Sequence, residues 1–221
     1  MILIERKFVR AGLFGIVALL ILMDILGPLV GIESIFALDK QGSVSVWFES
    51  VLYLISAGLL GLISIHYCNR GNQQYWRWGL FSIFMVYLSV NAASEINKKL
   101  VGKITDWLWW IGSSFFDFIL FLLLATALIV ILWPVLTSMP ARVRRMLIWS
   151  GIIFGFGAIV IDDLSDLLFR GNNGWFYIFE EMLEYSGFIL FIDAILTYLQ
   201  TEINVIKLDF SSHQPPDENG R

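Results

Sequence analysis

The chain has 221 residues, of which 57% are hydrophobic, 15% aromatic and only 15% charged, and its mean hydropathy is +0.74. Soluble domains usually carry about 25% charged residues and about 45–50% apolar ones, so this composition argues against a soluble enzyme and against a disordered protein. The net charge of −4 gives no attraction for phosphate backbones, and we expect no nucleic-acid partner.

Six apolar windows are long enough to cross a bilayer, whose hydrocarbon core of about 30 Å takes roughly 20 helical residues. They cover residues 8–31, 47–67, 75–94, 107–136, 145–169 and 175–200. These windows are too long, and too poor in alternation, for membrane strands. The sequence therefore predicts an all-α, polytopic membrane protein: one bundle of six transmembrane helices over residues 1–200, followed by a polar, disordered tail over 201–221.

The basic residues ahead of the first window also fit a signal peptide. The long apolar stretch, with no cleavage site close behind it, favours a first span instead. Positive residues collect on the cytoplasmic side of membrane proteins. With the N-terminus inside, ten lie inside (Arg6, Lys7, Arg10, Arg70, Arg77, Arg142, Arg144, Arg145, Lys207 and Arg221) and five outside (Lys40, Lys98, Lys99, Lys103 and Arg170). This distribution predicts that both termini are cytoplasmic.

The nine tryptophans all fall near predicted span ends, where an amphipathic indole is favoured, so we expect them to be interfacial anchors. They are Trp47, Trp76, Trp78, Trp107, Trp109, Trp110, Trp133, Trp149 and Trp175. The loops are short, and consecutive spans are expected to form three antiparallel hairpins. A weak threefold echo of acids and tryptophans accompanies these hairpins, but any six-span protein yields some echo, and we favour no true repeat. Gly151, Gly155 and Gly157 predict close helix packing in the fifth span.

Ten acidic residues fall inside the predicted spans, and no Lys or Arg lies deep within one. Nine lie in the outward half: Asp24, Glu49, Asp117, Asp162, Asp163, Asp166, Glu180, Glu181 and Glu184. Asp193 alone lies towards the cytoplasm. A charge at the bilayer centre costs at least about 2.5–3.5 kcal/mol on insertion scales. We therefore predict that the nine outward acids face each other, a water-filled cavity or a bound cation, and they are the candidate binding residues.

The last hairpin has a geometry that would concentrate these acids. Asp162 and Asp166 share one helix face, as do Glu180 and Glu184, because each pair is four residues apart. A turn centred on residue 173 would place Asp166 opposite Glu180, and Asp162 opposite Glu184. The spacing predicts two rungs of carboxylates about 6 Å apart at 1.5 Å per residue.

Such a ladder would not stay fully ionised in a dry environment, because burial and like charges both disfavour the ionised form. Three arrangements are physically reasonable. The first is a divalent cation such as Ca²⁺, Mg²⁺ or Mn²⁺, which takes oxygen ligands. The second is a set of shared protons. The third is a wet rim in which the acids pair with Arg170, Lys98, Lys99 and Lys103.

Residues 88–100, Leu-Ser-Val-Asn-Ala-Ala-Ser-Glu-Ile-Asn-Lys-Lys-Leu, resemble a segment of uncharacterised bacterial multi-pass inner-membrane proteins, in which it reads roughly Leu-Ser-Leu-Asp-Glu-x-x-x-Ile-His-Glu-x-Leu. Glu49 and the run Glu180, Glu181 and Glu184 match two further features of those proteins. The resemblance spans about residues 45–200 and implies the same architecture in a bacterial inner membrane. Four positions depart from the pattern: Asn91, Ala92, Asn97 and Lys98 replace Asp, Glu, His and Glu.

Three functions fit these observations. The first is an outward-facing acidic pocket that binds or transports a cation or a cationic solute. The second is a non-catalytic accessory subunit of a larger membrane complex, with partner subunits or further copies of the chain. The third is a divalent-metal-dependent membrane enzyme acting on lipids. The two histidines, His66 and His213, lie at a helix end and in the tail, so neither a histidine-ligated zinc site nor a Ser-His-Asp triad is supported.

Overall fold

A computed structural model describes residues 6–31, 33–38, 40, 42–94, 96, 113–161 and 176–202. Within these ranges the chain is helical and contains no strand, which confirms the predicted all-α class. In chain order, the helices are α1 (Arg6–Val30), the short α2 (Glu33–Phe36), α3 (Val44–Asn69), α4 (Tyr75–Ser94), α5 (Ser113–Ser138), α6 (Ala141–Gly155) and α7 (Phe176–Glu202). A π-helical segment, Phe156–Ile161, continues α6. The predicted number of six long helices matches the structure.

Among the described residues, three stretches of helix are long and apolar enough to cross a membrane: Lys7–Val30, Val44–Asn69 and Phe176–Glu202. The end of α5, Ile129–Ser138, is a shorter apolar stretch. Large apolar side chains cover the outside of the helices, and Leu29 and Ile83 are among the most exposed. Many exposed large apolar side chains on long helices are typical of a surface that meets lipid.

The central helix of the structure is α7. Helices α1, α3 and α6 and the π-helical segment all pack against it. Its apolar side chains are buried on several faces, and Ile189, Ala194 and Ile195 are almost completely enclosed. A helix that is apolar all round is expected in the middle of a bundle. Of the acids on α7, Asp193 is buried inside the bundle, Glu180, Glu181 and Glu184 are half-buried, and Glu202 is exposed.

Helices α3 and α4 form a tight hairpin. The chain reverses at Gly71, whose φ of +66° is a conformation that favours glycine. The backbone N–H of Gly71 donates to the Cys68 carbonyl, and that of Asn72 donates to the Tyr67 carbonyl, both at 3.0 Å. This pair of hydrogen bonds is the Schellman arrangement that ends a helix at a glycine. It turns the chain directly back along α3.

Serine side chains join α3 to α4. The hydroxyl of Ser50 donates to the Ser89 carbonyl at 2.9 Å, and the Ser89 hydroxyl lies within 2.9 Å of the Ser50 carbonyl. Further along the hairpin, Ser82 donates to the Ala57 carbonyl at 2.7 Å. Small polar residues let two apolar helices approach closely and form hydrogen bonds across the interface.

Replacing Ser50 and Ser89 together with alanine is expected to lower the free energy of unfolding by about 0.6–1.7 kcal/mol, the range measured for interhelical hydrogen bonds in membranes. Reversible unfolding in mixed micelles would measure this change. Ser56→Ala is the control, because Ser56 donates only to the Leu52 carbonyl of its own helix. If the control costs as much as the double variant, the pair does not hold the hairpin together.

The predicted grouping into three hairpins is only partly observed. Within the described ranges the third hairpin is a closely packed pair, α6 with α7, whereas α4 and α5 touch lightly and α1 and α3 barely meet. Helix α1 packs against α7 instead, and α3 packs against α4. The order of the helices along the chain does not decide which of them pack together. The side chains on each helix face decide that.

One tryptophan prediction is wrong. Trp78 is 1% exposed, and its ring stacks on Tyr198 with centroids 5.4 Å apart, so it belongs to the core rather than to an interface. Four others, Trp47, Trp76, Trp133 and Trp149, are exposed, as anchors must be. The remaining four, Trp107, Trp109, Trp110 and Trp175, lie outside the described residues.

Candidate functional site

The site is built on the N-terminal half of α7 by Glu181 and Glu184. Because these residues are three positions apart, they lie on the same side of the helix, where Tyr185 and Phe188 continue the surface. All four side chains line one small cavity. Glu180 is half-buried in the preceding position and is not one of the cavity-lining residues.

Helix α3 supplies the opposite wall. Glu49 and Tyr53 are one turn apart on this helix, and both line the cavity. Three glutamates and two tyrosines, Tyr53 and Tyr185, therefore border the same space between α3 and α7.

Aromatic contacts hold α3 against α7 around the cavity. The rings of Tyr53 and Phe188 meet edge to face at 4.5 Å between centroids, and Phe48 lies 5.8 Å from Tyr185. The Tyr185 hydroxyl donates to the Ser45 carbonyl at 3.2 Å. Each aromatic pair contributes about 0.5–1.5 kcal/mol to stability beyond the burial of its surface area. The carboxylates are therefore placed by a packed aromatic framework.

The cavity has a volume of about 10 Å³, close to the smallest space that holds one water molecule. Its lining residues come from α3, α6 and α7: Glu49, Leu52, Tyr53, Phe154, Glu181, Glu184, Tyr185 and Phe188. Carboxylic side chains and aromatic rings come from both walls, α3 and α7, and the surface that faces the space is mainly apolar. Both groups stabilise positive charge.

Two of the other predicted site residues, Asp24 and Glu180, do not line this cavity, and the side chains of the remaining four are outside the described part of the chain. Asp24 is buried between α1 and α7, where it accepts a hydrogen bond of 2.6 Å from the Tyr177 hydroxyl. Asp117 lies on α5, and its side chain is outside the described part. Asp162, Asp163 and Asp166 also lie outside the described residues, so the predicted ladder with Glu180 and Glu184 stays a prediction. Glu49, Glu181 and Glu184 are the predicted residues that the structure brings together.

Asp193 makes an ion pair that was not expected from the sequence. Its carboxylate lies 3.3 Å from Nη1 of Arg10, a residue at the start of α1. The signal was present: Asp193 is the one acid in the inner half of a predicted span, and Arg10 lies at the inner end of the first span. Together with the contact between Asp24 and Tyr177, this pair fastens α1 along α7 at two points.

Within the described ranges, no three Asp, Glu, His or Cys side chains are arranged to hold a metal ion. Comparison of the chain with protein-family models, with curated proteins and with solved structures gave no match. The candidate site therefore has to be interpreted from its own residues.

Proposed function

We propose that the chain is a six-span membrane protein, with both termini cytoplasmic, that binds or transports a small cation in the cavity between α3 and α7. The observation that carries the proposal is the convergence of Glu49, Glu181 and Glu184, together with two tyrosines, on one cavity. Carboxylates inside a bundle of apolar helices are costly, and their usual use in membranes is on ion or proton pathways.

The size of the cavity favours small cations over large solutes. A space of about 10 Å³ suits a proton, a water molecule or a small monovalent cation such as ammonium, without displacing a side chain. The rings of Tyr53, Phe154 and Tyr185 border the same space, and an aromatic ring attracts a cation that lies over its face. A proton taken up by one of the three neighbouring carboxylates would lower the repulsion between their like charges.

Thermal unfolding in detergent tests this proposal. Melting temperatures of the wild type would be measured across pH and across concentrations of Na⁺, ammonium, Ca²⁺ and Mn²⁺. A cation at a hundred times its dissociation constant is expected to stabilise the protein by about 2.7 kcal/mol. Glu49→Gln with Glu184→Gln is expected to remove the response.

Glu202→Gln is the matched control, because Glu202 is exposed at the other end of α7. It should keep the full response to the cation or to pH. A wild type whose melting temperature follows neither pH nor any of the four cations would overturn the proposal. So would a pocket variant whose response equals that of the wild type.

A further inference from the structure

The turn between α5 and α6 concentrates positive charge. Arg142, Arg144 and Arg145 fall within the first five residues of α6, only a few residues after α5 ends at Ser138. Arg142 and Arg145 are exposed, and Arg144 is half-buried. Three guanidinium groups are thus held within little more than one turn of helix.

None of these charges is neutralised by a carboxylate in the part of the chain that the structure describes, where the ion pair is Arg10 with Asp193. Arg144 donates from Nη1 to the Thr137 carbonyl at 3.5 Å, and Arg145 donates from Nε to the Ala141 carbonyl at 3.3 Å. These bonds use one nitrogen of each side chain and keep both groups close to the turn. A guanidinium has five N–H donors, so most of them are still available to an anion.

The surface on both sides of the turn is aromatic and apolar. Trp133 is 61% exposed on α5, about 8 Å from its end, and Trp149 is 57% exposed on α6, about 12 Å from its start. Exposed tryptophans next to apolar helix surface are typical of the depth at which lipid headgroups lie. The apolar stretch Ile129–Ser138 ends at this turn. In a bilayer, arginines at this turn would be expected at the level of the lipid phosphates.

We propose that the α5–α6 turn is a binding site for the headgroup of an anionic phospholipid. The planar guanidinium fork matches a phosphate in two parallel hydrogen bonds, and clusters of basic residues beside membrane helices attract anionic lipids. The tryptophans fix the depth, and the arginines supply the selectivity for negative charge. This proposal is independent of the cation site on α7.

Lipid retention by the full-length protein tests the site. The protein would be placed in nanodiscs of phosphatidylcholine with a small fraction of phosphatidylglycerol, and the lipids it retains would be counted by native mass spectrometry. Arg142→Gln/Arg144→Gln/Arg145→Gln is expected to lower the preference for phosphatidylglycerol about a hundredfold, at roughly fivefold for each charge. Lys7→Gln/Arg70→Gln/Arg77→Gln removes the same charge elsewhere and should change the preference less than threefold.

Arg142→Gln alone keeps the proposal testable if the triple variant fails to fold, because Arg142 makes no side-chain hydrogen bond within the described residues. It should lower the preference about fivefold. Equal losses in the two triple variants would overturn the proposal, since they would indicate a general effect of charge. Displacement of phosphatidylglycerol by millimolar inorganic phosphate would also overturn it, because the site would then bind a soluble anion.

Discussion

Replacing Gly187 with alanine is expected to lower the free energy of unfolding by about 1–3 kcal/mol, and replacing it with leucine by more. An added Cβ would stand 2.7 Å from the backbone nitrogen of Phe154 and 2.9 Å from the carbonyl oxygen of Ser150. Both of these neighbours are backbone atoms of α6, which cannot move aside as a flexible side chain could. The substitution must therefore push α6 away from α7, the helix that carries Glu181 and Glu184.

Gly151→Ala is the control for this prediction, because nothing lies within 4 Å of a Cβ built at that position. Alanine is a better helix former than glycine, so this variant should be as stable as the wild type or slightly more stable. Reversible unfolding in mixed micelles measures both. A Gly187→Ala variant as stable as Gly151→Ala would show that α6 and α7 are not in the close contact described.

Arg10→Gln is expected to destabilise the protein by about 1–3 kcal/mol, because it leaves a buried carboxylate without its charged partner. The Asp193 side chain is only 8% exposed, whereas that of Arg10 is 53% exposed. Most of the free-energy cost falls on the buried carboxylate of Asp193, because water solvates the exposed guanidinium of Arg10. Combining Arg10→Gln with Asp193→Asn should restore most of the lost stability, since neither residue is then charged.

A double-mutant cycle on these two positions measures the interaction directly. We expect a coupling energy in the range of about 0.5–3 kcal/mol, typical of residues in contact. Lys7→Gln, which removes a neighbouring exposed charge from α1, should leave the stability unchanged within about 0.5 kcal/mol. Additive effects of the Arg10 and Asp193 substitutions would mean that α1 is not fastened to α7 at this point.

The helices themselves could be predicted from hydropathy, because a membrane span needs a long apolar run. The predicted third span, 75–94, has the same bounds as α4, Tyr75–Ser94. The predicted fifth span begins four residues too late, since α6 begins at Ala141 and includes the arginines. Arginine is a good helix former, so basic residues that flank an apolar run can still belong to the helix.

Only one pairing of the helices, α6 with α7, could be predicted, because apolar helices of similar composition carry little signal for their neighbours. The serines of α3 and α4 decide one pair, and Gly157 and Gly187 decide another through close backbone approach. Of the glycines expected to mark packing in the fifth span, Gly157 does so. A Cβ built at Gly151 or Gly155 would have no neighbour within 4 Å.

The sequence predicted the type of residue at the candidate site better than the arrangement of those residues in space. Nine outward acids were expected to gather, and Glu181 and Glu184 do line one cavity. The expected partners came from the adjacent helix of the same hairpin, but the third carboxylate of the cavity is Glu49, which lies far away in sequence. Only the packing of α3 against α7 brings it there. The tyrosines that line the cavity, Tyr53 and Tyr185, had no recognisable pattern in the sequence.

Infrared difference spectroscopy of the carboxylates tests the central claim most directly, because it detects ionisation or cation binding at the acids themselves. Spectra would be recorded as pH is stepped and as Na⁺, ammonium or Ca²⁺ is added to the reconstituted protein. We predict a carboxylate band that changes in the wild type and in Glu202→Gln, and that is lost in Glu49→Gln/Glu184→Gln. Identical difference spectra for the wild type and the pocket variant would contradict a cation site between α3 and α7.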